Sequence, residues 1–218
     1  MAEPADRVYL FDVDNTLLDN DRVQADLRDH LERHYGARAK DRYWTLLEQL
    51  RNEVGYVDYL GALERYRIEE MHDPRLLRTA NWLVDYPFHE RLYPGALDAV
   101  RHARRRGAAS ILSDGDAVFQ PRKVERSGLW REFEGRVLIY IHKEQELRDV
   151  ERWYPARRYV LIDDKLRILS AVKEVWGDRV TTIFPRQGHY ALDPKEVAAY
   201  PPADITIETI ADFLLVDC

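Results

Sequence analysis

Residues 8 to 11 form a short apolar run that ends at two acidic residues, and no other stretch constrains the fold as strongly. The run shows no helical period and is rich in strand-forming side chains, which is typical of a strand buried on both faces of a parallel sheet. Asp12 and Asp14 follow it directly. The sequence therefore predicts a strand whose C-terminal end presents two carboxylates.

An Asp-x-Asp pair at a strand end can perform two chemical tasks. One carboxylate can attack phosphorus or carbon as a nucleophile, and its neighbour can give a proton to the leaving group and later take one from water. Clustered carboxylates repel each other unless a cation lies among them, and oxygen ligands suit Mg²⁺, which also neutralises a phosphate. We therefore expect a divalent metal at this strand end.

Two other interpretations of the pair start from its local sequence. An EF-hand calcium loop also begins Asp-x-Asp, but counting from Asp12 its sixth position is Leu17 instead of Gly and its twelfth is Val23 instead of Glu. The residues at these two positions therefore exclude a calcium loop. Asp14 and Asn15 could also form a turn that caps the following helix, and these residues alone leave that alternative open.

The composition is that of an ordinary globular protein. Of 218 residues, 45% are hydrophobic and 33% are charged, and the net charge of −6 argues against a general attraction to nucleic acid. The N-terminus lacks the apolar core of a signal peptide, and no apolar run is long enough for a membrane span. The single cysteine, Cys218, cannot form an internal disulfide. We expect a cytoplasmic protein whose partners include neither nucleic acid nor a membrane, and the oligomeric state is not indicated.

Residues 20 to 84 have a helical pattern throughout. Apolar residues recur at helical spacing in successive stripes that end at Gly36 and Gly55. A crossover between parallel strands usually needs one helix, so this much longer segment predicts an inserted helical module. Candidate linkers at residues 16–22 and 85–95 flank it. Its aromatic residues are expected mostly in the core between the helices.

From residue 96 onward, strands alternate with helices, which predicts a doubly wound α/β fold with a parallel sheet. The predicted strands lie at residues 109–112, 137–141, 159–162, 180–184 and 204–207. The last of them is expected at the sheet edge, before a terminal helix.

Polar side chains follow three of these strands, namely Ser113, Lys143, Asp163 and Asp164. Because the C-terminal ends of parallel strands meet at one edge of the sheet, we expect these side chains to gather near the first acid pair. Each could separately be a helix cap, a turn residue or a solvated side chain. Together, a hydroxyl, an ammonium and a second carboxylate pair are the components of a phosphoryl-transfer centre.

In this order the residues resemble the four motifs of the haloacid dehalogenase superfamily: Asp12-Val13-Asp14-Asn15-Thr16, Ser113, Lys143 and Asp163-Asp164. The resemblance covers essentially the whole chain. It implies a Rossmann-like core domain at residues 1–16 and 95–218, with a helical cap of the family's first type inserted at residues 17–94.

Two details depart from the family pattern. The family's Lys is often followed by Pro, whereas Lys143 precedes Glu144, and its acid motif often begins Gly-Asp instead of Asp-Asp. Lys123 competes with Lys143 for the lysine motif. We prefer Lys143 because it follows a strand directly, whereas Lys123 lies early in a predicted helix, where a solvated face is expected.

The resemblance implies a role for each motif residue. Asp12 would be the nucleophile that forms an aspartyl-phosphate, and Asp14 the general acid and then base. Ser113 and Lys143 would hold the phosphoryl oxygens, and Thr16 would support the loop.

The same resemblance implies a Mg²⁺ site. Asp12, the main-chain oxygen of Asp14 and the carboxylate of Asp164 would be its ligands, with Asp163 close enough to assist.

The family includes enzymes that break carbon-halogen bonds, but a halide leaves without a proton and that reaction needs no metal. Asp14 would then have no task, so we expect Mg²⁺-dependent hydrolysis of a small phosphorylated metabolite. The alternatives are a 2-haloacid dehalogenase, a receiver-like phosphoacceptor domain and a degenerate phosphate-binding protein. The substrate itself is not indicated.

Overall fold

The computed structural model of the protein describes residues 4–69 and 73–217. Cys218 lies outside the described residues, so its expected lack of an internal disulfide stays a prediction. Within the described residues the chain forms a parallel six-stranded sheet in the order β3-β2-β1-β4-β5-β6. The strands are β1 (Ala5–Phe11), β2 (Ala108–Asp114), β3 (Val137–Tyr140), β4 (Ala156–Ile162), β5 (Val180–Pro185) and β6 (Ile205–Ile207).

Helices cover both faces of the sheet, which confirms the predicted α/β fold. The first four follow β1 in the chain: α1 (Asn20–Tyr35), α2 (Ala37–Val54), α3 (Tyr59–Glu69) and α4 (Leu76–Val84). The others are α5 (Ala96–Arg104), α6 (Phe119–Arg126), α7 (Leu129–Glu132), α8 (Leu147–Trp153), α9 (Leu166–Trp176), α10 (Gly188–Leu192) and α11 (Pro194–Ala198).

The central strand β1 is buried on both faces, as its unbroken apolar run predicts. Tyr9 and Phe11 pack into one hydrophobic cluster, and Val8 and Leu10 pack into a second cluster on the opposite face. Alternate side chains of a strand point to opposite faces, so a strand between two cores must be apolar at every position. Because β1 is a central strand, the acidic residues that begin at Asp12 lie near the middle of the sheet, at the C-terminal ends of its strands.

Helices α1 to α4, which we call the helical block, pack through the predicted apolar stripes. In α2, for example, Tyr43, Leu46, Leu47 and Leu50 are buried. The two segments that connect the block to the sheet run side by side, because the Asp19 N–H donates to the Arg91 carbonyl at 2.7 Å and the Tyr93 N–H donates to the Leu17 carbonyl at 2.9 Å. The division into a core domain and a cap stays a prediction.

The C-terminal segment covers one face of the sheet. β6 is the edge strand that the sequence predicts, but residues Ile210–Leu215 form a 3₁₀ helix where a terminal helix is expected. Its Phe213 packs edge-on against Tyr9 and Phe11, at ring-centroid distances of 6.2 and 5.7 Å. A 3₁₀ helix is wound more tightly than an α-helix and is common in short helical segments. Among the described residues, no helix combines the length and the apolar character that crossing a bilayer requires.

A histidine makes the helical block sensitive to acid. His30 of α1 stacks on Trp82 at 4.4 Å and lies 3.3 Å from the Thr79 hydroxyl of α4, and burial, with smaller contributions from His34 and Arg33, lowers the pKa of its ring from 6.5 to about 4. Between these pH values the unfolded chain binds a proton that the folded chain does not, so the free energy of unfolding must fall as the pH falls.

We therefore expect the melting temperature of His30→Phe to depend less on pH than that of the wild type between pH 6.5 and about 4. Phe keeps the stacking on Trp82 and removes the proton-binding group. Thermal melts across this range check the prediction, with the exposed His89→Gln as a control. Equal slopes for the wild type and His30→Phe would contradict it.

Candidate active site

The strand order brings the predicted polar residues together at one edge of the sheet. Asp12 follows β1, Ser113 lies near the end of β2, and Asp163 and Asp164 follow β4, which pairs with β1 on the side opposite β2. Lys143 follows β3, the neighbour of β2. Residues up to 152 positions apart in sequence, Asp12 and Asp164, therefore belong to one cluster.

The ammonium of Lys143 is the centre of this cluster. Its Nζ lies 2.5 Å from Asp12 Oδ1 and 2.6 Å from Asp163 Oδ2, and it donates to the Leu112 carbonyl at 3.2 Å. Burial disfavours the charged form of this 1% exposed side chain, but the carboxylates of Asp12 and Asp163 outweigh burial and raise the pKa of the ammonium well above its ordinary value. Lys143 therefore stays charged, and it fixes both carboxylates.

Asp12, Asp163 and Asp164 can offer oxygen atoms that all lie within 4.8 Å of one another, and all three residues are buried. Both carboxylate oxygens of Asp164 and Oδ2 of Asp12 are buried without a hydrogen-bond partner among the described residues. Burial raises the pKa of the Asp164 carboxyl well above its ordinary value and also raises that of Asp163. The two unpartnered oxygens of Asp164 fit a hard divalent cation, which would supply the missing charge.

The two members of the second acid pair have different surroundings. Asp163 Oδ1 accepts from the Lys165 N–H at 2.9 Å, and its Oδ2 forms an ion pair with Lys143 at 2.6 Å that lacks hydrogen-bond geometry, so each oxygen has a polar partner. Asp164 has none for its carboxylate, while its main-chain N–H donates to the Thr16 hydroxyl at 3.0 Å. Asp164 is thus the better candidate ligand, and Thr16 is placed to support the loop.

Asp14 lies apart from the three clustered acids. Lys123 Nζ lies 2.7 and 2.8 Å from its two carboxylate oxygens and donates to Asn20 Oδ1 at 3.0 Å. Gln120 Nε2 donates to Asp14 Oδ2 at 3.4 Å and to Ser113 Oγ at 3.0 Å. The side chains of α6 therefore hold Asp14 beside the serine.

The expectation that Lys123 lies on a solvated helix face is wrong. Its side chain is 1% exposed, because α6 buries the face that carries Phe119, Gln120, Lys123 and Val124. The spacing of the apolar Phe119 and Val124 around the two polar residues could have indicated this, since all four fall on one side of a helix.

Asp114 is a further site residue that the sequence did not indicate. Its Oδ1 accepts from the Lys143 N–H at 2.8 Å, and burial raises the pKa of its carboxyl. The contact fixes the start of the loop that carries Lys143. An Asp-Gly pair after a strand is an ordinary turn signal, so its sequence alone did not distinguish it.

A cavity of about 330 Å³ lies between the strand ends and the helical block. Its lining residues include Arg28, Trp44 and Arg51 from the block, and Asp14, Lys123 and Lys165 from the strand-end side. Tyr43 and Tyr66 are core residues as expected of the block's aromatics, whereas Trp44 and Tyr56 line the cavity. Asp14 thus faces a chamber of small-molecule size.

A family model for haloacid dehalogenase-like hydrolases matches residues 7–176. The crystal structure of a haloacid dehalogenase-like hydrolase from Burkholderia xenovorans LB400 is 62% identical, with a TM-score of 0.93 over 99% of this chain and 100% of that one. The chain belongs to the haloacid dehalogenase-like hydrolases. A search of curated proteins found no match.

More distant members of the family share the fold. The HAD-hydrolase YfnB from Bacillus subtilis, bound to magnesium, is 18% identical with a TM-score of 0.65, over 95% of this chain and 96% of that one. The L-2-haloacid dehalogenase from Xanthobacter autotrophicus is also 18% identical, with a TM-score of 0.62 over 96% of this chain and 97% of that one. These likenesses establish the fold and leave the reaction to be argued from the side chains.

The unpartnered carboxylate gives a stability prediction. Asp164→Asn should raise the free energy of unfolding of the metal-free protein by about 1–3 kcal/mol, because a buried charge without a partner bears its full desolvation cost. The same substitution should remove the stabilisation that Mg²⁺ gives the wild type. Thermal melts with and without MgCl₂ check both effects, with the exposed Asp178→Asn as control. A wild-type melting temperature indifferent to Mg²⁺ would contradict the metal assignment.

Proposed function

We propose that this hydrolase cleaves a phosphate monoester of a small metabolite, with Mg²⁺, through an aspartyl-phosphate intermediate. The observation that carries the proposal is the position of Asp14. Its carboxylate lines the cavity and lies apart from the acid cluster, held by Lys123 and Gln120. A carboxyl group in that place can exchange a proton with a leaving group.

The proton requirement separates the two candidate reactions. A halide leaves carbon without taking a proton, so a dehalogenase has no task for Asp14. An alkoxide leaving phosphorus is strongly basic and gains from a proton donor. The presence of a positioned second carboxylate therefore supports phosphate-ester hydrolysis over carbon-halogen hydrolysis.

The proposed reaction has two steps. Asp12 attacks phosphorus through a carboxylate oxygen, the P–O bond to the alcohol breaks, and Asp14 gives its proton to the departing oxygen. Asp14 then takes a proton from water, which attacks the phosphorus of the aspartyl-phosphate and releases phosphate, and this restores both carboxyl groups.

The donors around Asp12 suit the phosphorylated state. Lys143 Nζ and Ser113 Oγ both contact Asp12 Oδ1, at 2.5 and 3.4 Å, whereas Asp12 Oδ2 has no hydrogen-bond partner. The unpartnered oxygen is the candidate nucleophilic atom. The ammonium and the hydroxyl lie where they can donate to the oxygens of a transferred phosphoryl group.

Mg²⁺ fits the cluster and would neutralise phosphoryl oxygens during the reaction. We assign Asp12, Asp164 and the main-chain oxygen of Asp14 as its ligands, with Asp163 in a supporting position. Asp163 already has a partner for each oxygen. The magnesium bound to the Bacillus subtilis relative is consistent with this assignment.

Access to Asp12 requires movement. Asp12 is 4% exposed and does not line the large cavity. The paired linkers at Asp19–Arg91 and Leu17–Tyr93 are where the helical block connects to the sheet. We propose that the block opens there to admit the substrate and then closes to exclude water.

The first test is a screen of sugar, nucleotide and acid phosphates with MgCl₂, with 2-chloropropionate run in parallel. Repeated release of phosphate that stops on removal of Mg²⁺ supports the proposal. Halide release without phosphatase activity would identify a dehalogenase. Transfer of one phosphoryl group to each chain without further turnover would indicate a phosphoacceptor domain. Binding of phosphate without any hydrolysis would indicate a degenerate phosphate-binding protein.

Asp12→Asn should lose turnover by at least about 10³-fold, because the amide cannot serve as the nucleophile. The isosteric change keeps the packing, so its circular dichroism spectrum should match the wild type. Asp178→Asn on the surface is the control. Turnover of p-nitrophenyl phosphate by Asp12→Asn at the wild-type rate would show that Asp12 is not the nucleophile.

Asp14→Asn should lose about 10²–10⁴-fold in kcat on an alkyl phosphate and less on p-nitrophenyl phosphate under single-turnover conditions, because nitrophenolate leaves without a proton. The Mg²⁺-induced rise in melting temperature should persist, since the proposed metal contact of Asp14 is its main-chain oxygen. An equal loss on both substrates would argue against the role in protonating the leaving group. Loss of the Mg²⁺ effect would argue against the assigned metal contact.

A further inference from the structure

Two neighbouring cavities share a cationic boundary. The cavity of about 330 Å³ that contains Asp14 and a smaller one of about 120 Å³ are both lined by Arg51, Lys165, Arg167 and Tyr190. Three of these four side chains carry a positive charge, although the chain as a whole has a net charge of −6. This concentration of positive charge lines the same chamber as the proposed proton donor, Asp14.

The ammonium of Lys165 lies at this boundary. Within the part of the chain that the structure describes, its Nζ has neither a hydrogen bond nor an ion pair, and its contact is with the face of the Tyr190 ring, 5.0 Å from the centroid. Lys165 directly follows Asp164, so the same loop that presents the candidate metal ligand also presents this cation. Its charge is available to a ligand in either cavity.

Arg51 approaches the same tyrosine from the helical block. Its Nη2 donates to the Tyr190 hydroxyl at 2.8 Å, and its Nη1 lies 3.8 Å from Glu48, beyond hydrogen-bond distance. The guanidinium therefore keeps donors for a ligand. Tyr190 lies between the two cations and contacts both.

Carboxylates act on both cations. Against the effect of burial, those of Asp164, Asp12 and Asp163 raise the pKa of the Lys165 ammonium, and Glu48 forms a long ion pair with Arg51. Lys143 and the proposed Mg²⁺ would together balance the three aspartates, which leaves the charge of Lys165 for a ligand.

Arg167 is neutralised by Glu144, at 2.6 Å, and Lys123 by Asp14. The other acidic groups that line the cavities are Glu48 and Asp114 in the larger and Glu196 in the smaller. None of these three forms a hydrogen bond with Arg51 or Lys165 among the described residues.

We propose that Arg51 and Lys165 form a second anion-binding subsite, and that the substrate is a phosphate monoester that carries a second acidic group, a carboxylate or another phosphate. The inference rests on the proposed phosphatase function. A guanidinium binds such a group through two parallel N–H donors, and an ammonium adds a point charge. Because Arg51 comes from the helical block and Lys165 from the strand-end loop, an anion between them would also favour closure of the block.

The test compares matched pairs of substrates. One series is ω-carboxyalkyl phosphates of increasing chain length with their uncharged methyl esters, and the other is alkanediol bisphosphates with the corresponding monophosphates. At the chain length that fits, we expect the wild type to prefer the doubly acidic member by at least about tenfold in kcat/KM. The two series distinguish a carboxylate from a phosphate.

The variants assign the preference to the subsite. Arg51→Gln and Lys165→Gln should each reduce the ratio of kcat/KM for the acid to kcat/KM for the ester toward one. Arg51→Lys should retain more of this preference than Arg51→Gln, because lysine keeps the positive charge. Arg38→Gln, on the exposed part of the same helix, should keep the full ratio. The Mg²⁺-induced rise in melting temperature of Lys165→Gln shows whether that variant still binds the metal.

A binding measurement separates this inference from the proposed reaction. Titration calorimetry with Asp12→Asn protein measures the affinity for each acid and ester without turnover. Tighter binding of the acids, combined with a wild-type protein that hydrolyses none of the phosphates in either series, would support the subsite and reject the phosphatase. Hydrolysis without any preference for a second charge at any chain length would reject the subsite and leave the phosphatase in place. Equal ratios in the wild type and Arg51→Gln would also reject it.

Discussion

The contact of the Lys143 ammonium with Asp12 and Asp163 is the interaction on which the site depends. The three charged groups are buried, and each would be costly without its partners. The contact is possible because β1 is flanked by β2 and β4, with β3 next to β2, so that a lysine after β3 reaches acids after β1 and β4. The charge arrangement therefore requires this strand order. The ammonium of Lys143 contacts two of the three carboxylates, and the third, that of Asp164, has no hydrogen-bond partner among the described residues.

The two acids of the opening motif have different surroundings, and the roles proposed for them differ accordingly. Asp12 is fixed by Lys143 within the buried cluster, whereas Asp14, two residues later, faces the cavity and is held by α6 through Lys123 and Gln120. Each acid thus has a cation of its own. An Asp-x-Asp spacing at a strand end produces this separation directly, since the chain leaves the sheet between the two residues.

The sequence predicted the elements whose signal is local. The apolar run of β1, the helical stripes and the polar residues at strand ends depend on periodicity and on the geometry of parallel sheets, and these predictions placed Ser113, Lys143 and both acid pairs at one edge. The prediction of a solvated side chain failed for Lys123, because burial of a lysine depends on a partner contributed by another part of the chain, here Asp14. The sequence also could not show that Asp163 is paired while Asp164 is not, since the adjacent residues differ only in where their side chains point.

The fold by itself does not select the reaction, because a magnesium-bound hydrolase and a dehalogenase are similar to this chain to the same degree. The selection must come from groups that one reaction uses and the other does not. In the proposed reaction, Asp14, which lines the cavity, is such a group. In the proposed subsite, Arg51 and Lys165 would make the same kind of distinction among phosphate esters, since cations that line a cavity bind anionic ligands more strongly than neutral ones. Under the two proposals, the groups that select the reaction and those that select the substrate line one chamber, and the helical block contributes to both, through Asn20 beside Lys123 and through Arg51.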